Sequence, residues 1–179
     1  MARPGYKTRE GHKSNGSNNK KRDHYTNKNI DMIAEAIKNL KNHYNPKKVI
    51  LVGHSGGAAT TGIIIGRHPG LIDSAILISC PCNVKKWRSS PKKTEGGKGA
   101  WNKSSSPHKW VDKIDKGTKV GIIIGELDKN TFPELSENYF ELLKKNNISS
   151  ELITIKAGHS FKFIYNNKEA VDLGKRLMN

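Results

Sequence analysis

The chain has 179 residues, so it is long enough to bury a core and to form one domain, 1–179, but not two. Hydrophobic residues make up 34% of it, more than a disordered chain holds, and its apolar runs are far shorter than a membrane span. Its 32 lysines and arginines outweigh 16 acidic residues, and this net charge of +16 raises the question of a nucleic-acid partner. No secretory signal peptide is evident, so the cytoplasm is the expected location by default.

The first elements are a basic segment, a helix, a strand and a second helix. Residues 1–28 carry eight lysines and arginines against two acidic residues and form a loop-like N-terminal segment rich in Gly, Ser and Asn. An apolar stripe then predicts a helix that ends near Asn45-Pro46, at the positions Ile30, Ile33, Ile37, Leu40 and Tyr44. The apolar run at 48–53 is typical of a buried parallel strand, and the small residues at 57–68 predict the next helix.

A second buried strand, predicted at 74–79, leads into a second basic segment. Residues 85–119 hold eleven lysines and arginines against three acidic residues, and their composition favours a loop or lid insert. The tryptophans of this insert either line a substrate pocket or anchor a long loop to the body of the domain: Trp87, Trp101 and Trp110. No helix-turn-helix, zinc-finger or RRM pattern accompanies the charge, so we expect solvated basic loops and no specific nucleic-acid partner.

Cys80 and Cys82 follow the second strand. They are too few for a disulfide scaffold and too close in sequence to pair with each other without strain. They also lack the additional ligands that a zinc site needs. We therefore expect two thiols at a strand end and a reducing compartment.

The second half of the chain repeats the alternation of strand and helix. Strands are predicted at 119–125 and 151–155, a helix opens at Pro133, and a last helix covers 168–178. Four strands alternating with helices predict an α/β fold, a three-layer sandwich with a mainly parallel sheet.

The sequence Gly53-His54-Ser55-Gly56-Gly57 fits G-x-S-x-G at the point where the first strand must turn into a helix. This context is the one that the nucleophile elbow requires. A tight turn strains the backbone at the serine, and we expect the two outer glycines to remove side chains that would collide as strand and helix close on each other. Ser55 is thereby the candidate nucleophile.

A serine hydroxyl needs a histidine base and a carboxylate that orients it. Asp128 follows the third strand and His159 follows the fourth, which gives the chain order Ser, Asp, His. Glu126 is a rival for the acid, but Asp128 in the loop has better reach. The remaining histidines lack a strand-end position with a matching acid: His12, His24, His43, His54, His68 and His108.

With these residues in place, the chain resembles the α/β-hydrolase superfamily, particularly its esterases and prolyl-oligopeptidase-like members. Most of the chain takes part in the resemblance. Further stretches that resemble the family are Arg3-Pro4-Gly5-Tyr6, Arg67-His68-Pro69-Gly70, Thr131-Phe132-Pro133 behind Asp128, and Gly158-His159. The resemblance implies a serine esterase or peptidase that needs no cofactor and no metal.

The family sheet normally has eight strands, and only its last four are predicted here. We therefore expect an N-terminally truncated fold: a hydrolase fragment, a half completed by a second polypeptide or by self-association, or a chain whose start codon is placed too late. The first strand would then lie on an edge, where it invites pairing with another chain.

The same difference affects the oxyanion hole. The resemblance implies that the Gly56 N–H is one donor and that the second comes from a loop after the third strand of the family sheet. This second donor has no visible source in the sequence. Because the loss of one donor costs about 10²–10³ in turnover, we expect a slow enzyme.

The sequence thus predicts hydrolysis of a small-molecule ester or a peptide through an acyl-enzyme. Two alternatives stay open. One is a noncatalytic basic protein that binds an anionic partner through its charged loops, and the other is an inactive hydrolase fragment. Binding through the loops would weaken steeply with salt, whereas acylation of Ser55 would not.

Overall fold

The computed structural model describes residues 4–18, 24–92, 101–164 and 166–178. Within these residues the fold is built on a parallel sheet with the spatial order β1-β2-β3-β4. The strands are β1 (Ile50–His54), β2 (Ser74–Ile78), β3 (Lys119–Gly125) and β4 (Ser150–Ile155). Because all four run in the same direction, their carboxyl ends meet at one edge of the sheet.

The connections between the strands are helical. The helices are α1 (Asn27–Tyr44), α2 (Gly56–Arg67), α3 (Val84–Ser89), α4 (Glu134–Lys145), α5 (Phe161–Ile164) and α6 (Lys168–Met178). The Thr26 side chain caps α1 by accepting from the Asn29 N–H, and Asn45 ends it in the left-handed conformation. The helix therefore stops where Asn45-Pro46 predicts.

Two apolar clusters cover the two faces of the sheet. On one face, α1, α2 and α4 pack in a core that includes Ile30, Ile63 and Tyr139. On the other face, α6 packs through Leu173 against Ile76 and its neighbours. The predicted three-layer α/β sandwich with a parallel sheet is confirmed.

The basic segment 85–119 is more regular than a loop insert. It contains most of α3 and two short 3₁₀ turns, Pro107–Lys109 and Val111–Lys113, while its residues 93–100 lie outside the described ones. The helix forms because the Asn83 side chain caps it by accepting from the Lys86 N–H, and because its apolar side chains are buried. Any role of the segment as a lid stays a prediction.

The tryptophans of this segment pack against the body of the domain. The Trp87 indole N–H donates to the Asn130 carbonyl at 2.8 Å, and the Arg67 guanidinium of α2 lies 5.2 Å from the Trp110 ring centre. The Trp101 ring lies 5.6 Å from that of Trp87. Of the two interpretations, these contacts favour anchoring for Trp87 and Trp110.

The expectation of two free thiols is wrong: Cys80 and Cys82 form a disulfide. The chain bends around Pro81, so the Cα atoms of the two cysteines are 5.1 Å apart, within the usual range for disulfides. The prediction assumed that a separation of two residues is too short, but the separation in space decides. Both cysteines are fully buried.

Strand β1 lies at an edge of the sheet and pairs with β2 alone among the described residues. Val52, in its middle, is 54% exposed, which is unusual for an apolar strand residue. Completion of this edge by another polypeptide or by a second copy stays a prediction. Among the helices formed by the described residues, none combines the length and apolarity that crossing a membrane requires.

Candidate active site

Ser55 occupies the turn between β1 and α2. Its backbone has φ +54° and ψ −117°, which a residue with a side chain adopts only under strain. The turn is held because the Ser55 N–H donates to the Ile78 carbonyl at 2.8 Å and its carbonyl accepts from the Ala59 N–H at 3.1 Å. A strained serine at a strand-to-helix turn is the geometry of a nucleophile elbow.

The two outer glycines of the motif differ in what they do. A Cβ on Gly53 would overlap the backbone carbonyl of Gly57 and lie 2.6 Å from the Ala58 nitrogen, so this position admits no side chain. A Cβ on Gly57 would meet nothing within 4 Å. The expectation that both glycines remove colliding side chains is therefore right for Gly53 and wrong for Gly57, since the approach is between the Gly53 Cα and the Gly57 backbone.

Asp128 lies in the loop after β3 with only 4% of its surface exposed. Its Oδ1 accepts from the backbone N–H groups of Asn130 and Thr131 at 2.8 and 2.9 Å. Its Oδ2 accepts from the Thr131 hydroxyl at 2.8 Å and lies 2.8 Å from the His159 Nδ1. Four hydrogen bonds therefore orient this carboxylate toward one histidine.

His159 lies in the loop after β4 and links the other two residues. Its Nδ1 is 2.8 Å from Asp128 Oδ2, and its Nε2 is 3.0 Å from Ser55 Oγ. Because an ionised carboxylate only accepts, Nδ1 carries the proton and Nε2 is left as the acceptor for the serine hydroxyl. The structure thus brings Ser55, His159 and Asp128 together in the order that general-base activation of a serine requires.

The charge of Asp128 is stabilised despite its burial. Burial by itself raises the pKa of this carboxyl, but the hydrogen bonds from His159 and Thr131 outweigh it, so the pKa lies below its ordinary value. Asp128 is the single buried carboxylate among the described residues. The rival Glu126 is exposed, and within the described part of the chain the carboxylate that contacts His159 is that of Asp128.

Thr131, and His54 of the predicted elbow motif, support this arrangement through contacts that the sequence did not predict. Thr131 donates to Asp128, and its hydroxyl oxygen lies 3.1 Å from His159 Nδ1. His54 places its Nε2 2.8 Å from the backbone carbonyl of His159, which fixes the loop that carries the base. A threonine three residues after an aspartate is a common local hydrogen-bonding pattern, and this pattern could have indicated the role of Thr131. Only the fold brings His54 to His159.

The pKa of His54 lies below its ordinary value because burial disfavours the imidazolium, an effect that the His159 carbonyl offsets only in part. In the unfolded chain the same histidine titrates near pH 6.5 and binds a proton more readily, so acidification favours unfolding. We expect the free energy of unfolding to fall as the pH drops from about 7 to about 5. Urea unfolding at several pH values should show that the free energy of unfolding depends less steeply on pH in His54→Gln. The glutamine amide in this variant can still donate to the His159 carbonyl.

The control for this experiment is His108→Gln. His108 lies away from the triad, against the Cys82 carbonyl, and burial lowers its pKa as well. The His108→Gln variant should therefore also reduce the pH dependence of the free energy of unfolding, but it should leave the reaction of Ser55 with a fluorophosphonate unchanged. Asp128 contributes only at lower pH, because its stabilising effect is lost as the pH falls through its lowered pKa. If the free energy of unfolding of His54→Gln depended on pH as steeply as that of the wild type, the assignment of a lowered pKa to His54 would be contradicted.

Gly56 opens α2, where the first N–H groups of a helix have no partner within the helix. Its N–H is the predicted oxyanion donor. Tyr25, which is 4% exposed, packs its hydroxyl group against Gly56. A Cβ on Gly56 would lie 2.6 Å from the Tyr25 hydroxyl oxygen, which is too close, but 3.7 Å from the ring carbon that bears this oxygen, which is ordinary contact. The hydroxyl of Tyr25, which precedes α1, is thus a polar neighbour of the elbow that the sequence did not indicate.

We expect Gly56→Ala to destabilise the fold by about 1–3 kcal/mol, because the new methyl group collides with the Tyr25 hydroxyl. The double variant Gly56→Ala/Tyr25→Phe lacks that oxygen and should recover most of the loss. Thermal unfolding of the wild type, both single variants and the double variant measures the coupling. Additive effects would contradict the contact.

The stretch Arg67-His68-Pro69-Gly70, which also resembles the family, has a structural role. The Arg67 guanidinium forms two hydrogen bonds with the Asp31 carboxylate at 2.6 and 2.7 Å, and His68 contacts the same carboxylate at 2.8 Å. These contacts tie the end of α2 to α1. Of the stretch at 3–6, Arg3 lies outside the described residues.

A parallel α/β sheet with a strained serine after one strand, and with an acid and a histidine after the last two strands, defines an α/β-hydrolase. The sequence pattern of the prolyl oligopeptidase family matches residues 8–176, and the chain belongs to this family. No curated protein is significantly similar to it in sequence.

Solved structures share the fold at low identity. The esterase Pf2001 of Pyrococcus furiosus superposes with a TM-score of 0.68 at 19% identity, over 87% of this chain and 63% of that one. Esterase PE8 gives 0.57 at 18% identity, over 84% and 60%. Dipeptidyl peptidase 4 of Porphyromonas gingivalis gives 0.63 at 19% identity, over 82% and 21%. The chain therefore spans less than two thirds of the length of these proteins.

Proposed function

We propose that this chain hydrolyses an ester or amide bond through a covalent acyl-enzyme. Ser55 Oγ attacks the substrate carbonyl carbon while its proton passes to His159 Nε2. The tetrahedral intermediate collapses, and His159 returns the proton to the departing alcohol or amine. Water, deprotonated by the same histidine, then releases the acid and restores Ser55.

One observation carries the proposal: the unbroken chain of short contacts from Ser55 through His159 to Asp128. The distances of 3.0 and 2.8 Å lie in the range that proton transfer requires without rearrangement. Asp128 holds the histidine in the tautomer that accepts the serine proton, and it stabilises the imidazolium that forms. Membership of a hydrolase family supports the same class of reaction.

Both esterases and a peptidase share this fold, so the proposal covers ester and amide substrates alike. The Gly56 N–H is the proposed donor to the oxyanion of the tetrahedral intermediate. Each such donor contributes about 10²–10³ to turnover. No step in the sequence of proton transfers uses a metal or an organic cofactor.

The experiment that tests the proposal is intact mass measurement after treatment of the folded chain with a fluorophosphonate. A single adduct on the wild type, absent from Ser55→Ala and strongly slowed in His159→Ala, is the expected result. The matched control is Ser160→Ala, which removes an exposed serine next to the histidine and should leave labelling intact. A wild-type chain that is folded by circular dichroism and takes no adduct would overturn the proposal for this chain.

A further inference from the structure

A cavity of about 380 Å³ lies between α3 and residues 101–109. Its wall carries three cationic side chains, Lys85, Arg88 and Lys109, together with serine and asparagine side chains and the Trp101 indole. None of its described lining residues is acidic, and none belongs to the proposed triad. The volume lies within the range of small-molecule sites.

Arg88 distinguishes this cavity from an ordinary basic surface. It is 8% exposed, and among the described residues it is the one buried Lys or Arg. Its guanidinium lies 4.4 Å from the Trp101 ring centre and 5.2 Å from that of Trp87. Removing a guanidinium from water is costly, and contact with aromatic faces recovers part of that cost.

Hydrogen bonds hold the walls of the cavity in place. The Ser106 hydroxyl, 2% exposed, accepts from the Val84 N–H at 3.0 Å and so joins the start of α3 to the opposite wall. The Ser104 hydroxyl accepts from the Tyr25 N–H at 3.3 Å. A site whose walls are fixed before binding spends less free energy on ordering when a ligand arrives.

The chemistry of the lining indicates the ligand. Three cations around one cavity match a dianion better than a monoanion, and a planar guanidinium matches the paired oxygens of a phosphate. The cavity is larger than a phosphate ion, and its aromatic wall suits an organic group. We propose that it binds a small phosphate monoester, with Arg88, Lys85 and Lys109 around the phosphate and Trp101 against the organic part. This site goes beyond the proposed hydrolase function and does not depend on it.

The test is a titration of the full chain with phenyl phosphate at constant ionic strength, followed by tryptophan fluorescence. We expect a saturable change that phenol at the same concentrations does not produce. Lys85→Met/Lys109→Met removes two exposed cations of the cavity and should weaken binding about tenfold or more. The matched control, Lys144→Met/Lys145→Met, makes the same charge change on α4 and should bind within about twofold of the wild type.

Arg88→Met should abolish the saturable fluorescence change. Because Arg88 is buried, its substitution also affects the fold, so the test relies on the Lys85→Met/Lys109→Met variant. Equal weakening in the cavity variant and in the α4 control would show attraction to the net charge alone and overturn the proposal. Equal binding of phenol, or no saturable change in a wild-type chain that is folded by circular dichroism, would also overturn it. Retained fluorophosphonate labelling in Lys85→Met/Lys109→Met would show that any loss of phosphate binding is independent of the serine.

Discussion

Asp128→Asn is expected to lower the rate of serine acylation about 10⁴-fold while leaving the fold intact. The amide has the same shape as the carboxylate, so the hydrogen bonds from the Asn130 and Thr131 N–H groups can persist through its oxygen. Its NH₂ group, however, would face His159 Nδ1 and donate to it. The proton then moves to Nε2, and the histidine can no longer accept from Ser55. The rate of fluorophosphonate labelling, compared at equal fold by circular dichroism, measures the effect.

The matched control is Glu126→Gln, which removes the other acid near the end of β3. Because Glu126 is exposed, the rate at which the fluorophosphonate labels Glu126→Gln should stay within about twofold of the wild-type rate. Thr131→Val tests the support of the carboxylate and should cost less, about tenfold, since Asp128 keeps its charge. Equal losses in Asp128→Asn and Glu126→Gln would remove Asp128 from the proposed triad.

Gly53→Ala is expected to be the most damaging of the small substitutions in the elbow. Its methyl group would overlap the Gly57 carbonyl, which is backbone and cannot rotate away. Relief requires β1 and α2 to separate, and this would also move Ser55 from its 3.0 Å contact with His159. We expect a loss of stability of about 3 kcal/mol or more, together with loss of labelling. Urea unfolding and adduct mass measure the two effects.

Gly57→Ala provides the opposite expectation at the same turn. No heavy atom lies within 4 Å of the added Cβ, and alanine is favoured over glycine within a helix by about 1 kcal/mol. We expect stability to stay level or to rise. If both substitutions destabilised the fold to a similar extent, the close approach of β1 to α2 at Gly53 would be contradicted. A much larger loss of stability in Gly53→Ala than in Gly57→Ala would support that approach.

The order of the four strands and of α1, α2, α4 and α6 could be predicted from the sequence because each of these elements carries its own periodic signal, whereas α3 and α5 are too short to carry one. The run from Lys119 to Gly125 is apolar on both faces, and β3 has those bounds. The stripe that includes Ile30 and Ile37 likewise marks the buried face of α1. The motif around Ser55, with an acid and a histidine after later strands, located the candidate site for the same reason, since parallel strands end at one edge of a sheet.

Contacts between distant segments could not be read in this way. Cys80 and Cys82 pair because the chain bends around Pro81, and a count of intervening residues does not show that bend. His54 supports the His159 loop across 105 residues of sequence, and Tyr25 reaches Gly56 from before α1. Such contacts depend on how helices and loops pack, which no local pattern encodes.

The sequence by itself determined the fold class and predicted the three residues of the proposed triad, because local periodicity and strand-end position are both written along the chain. The tertiary structure alone decided which glycine of the elbow is required, which groups orient Asp128 and His159, and that Arg88 is buried beside two tryptophans. These features depend on distances between segments that are far apart in sequence. Packing sets those distances, and packing is a property of the whole chain.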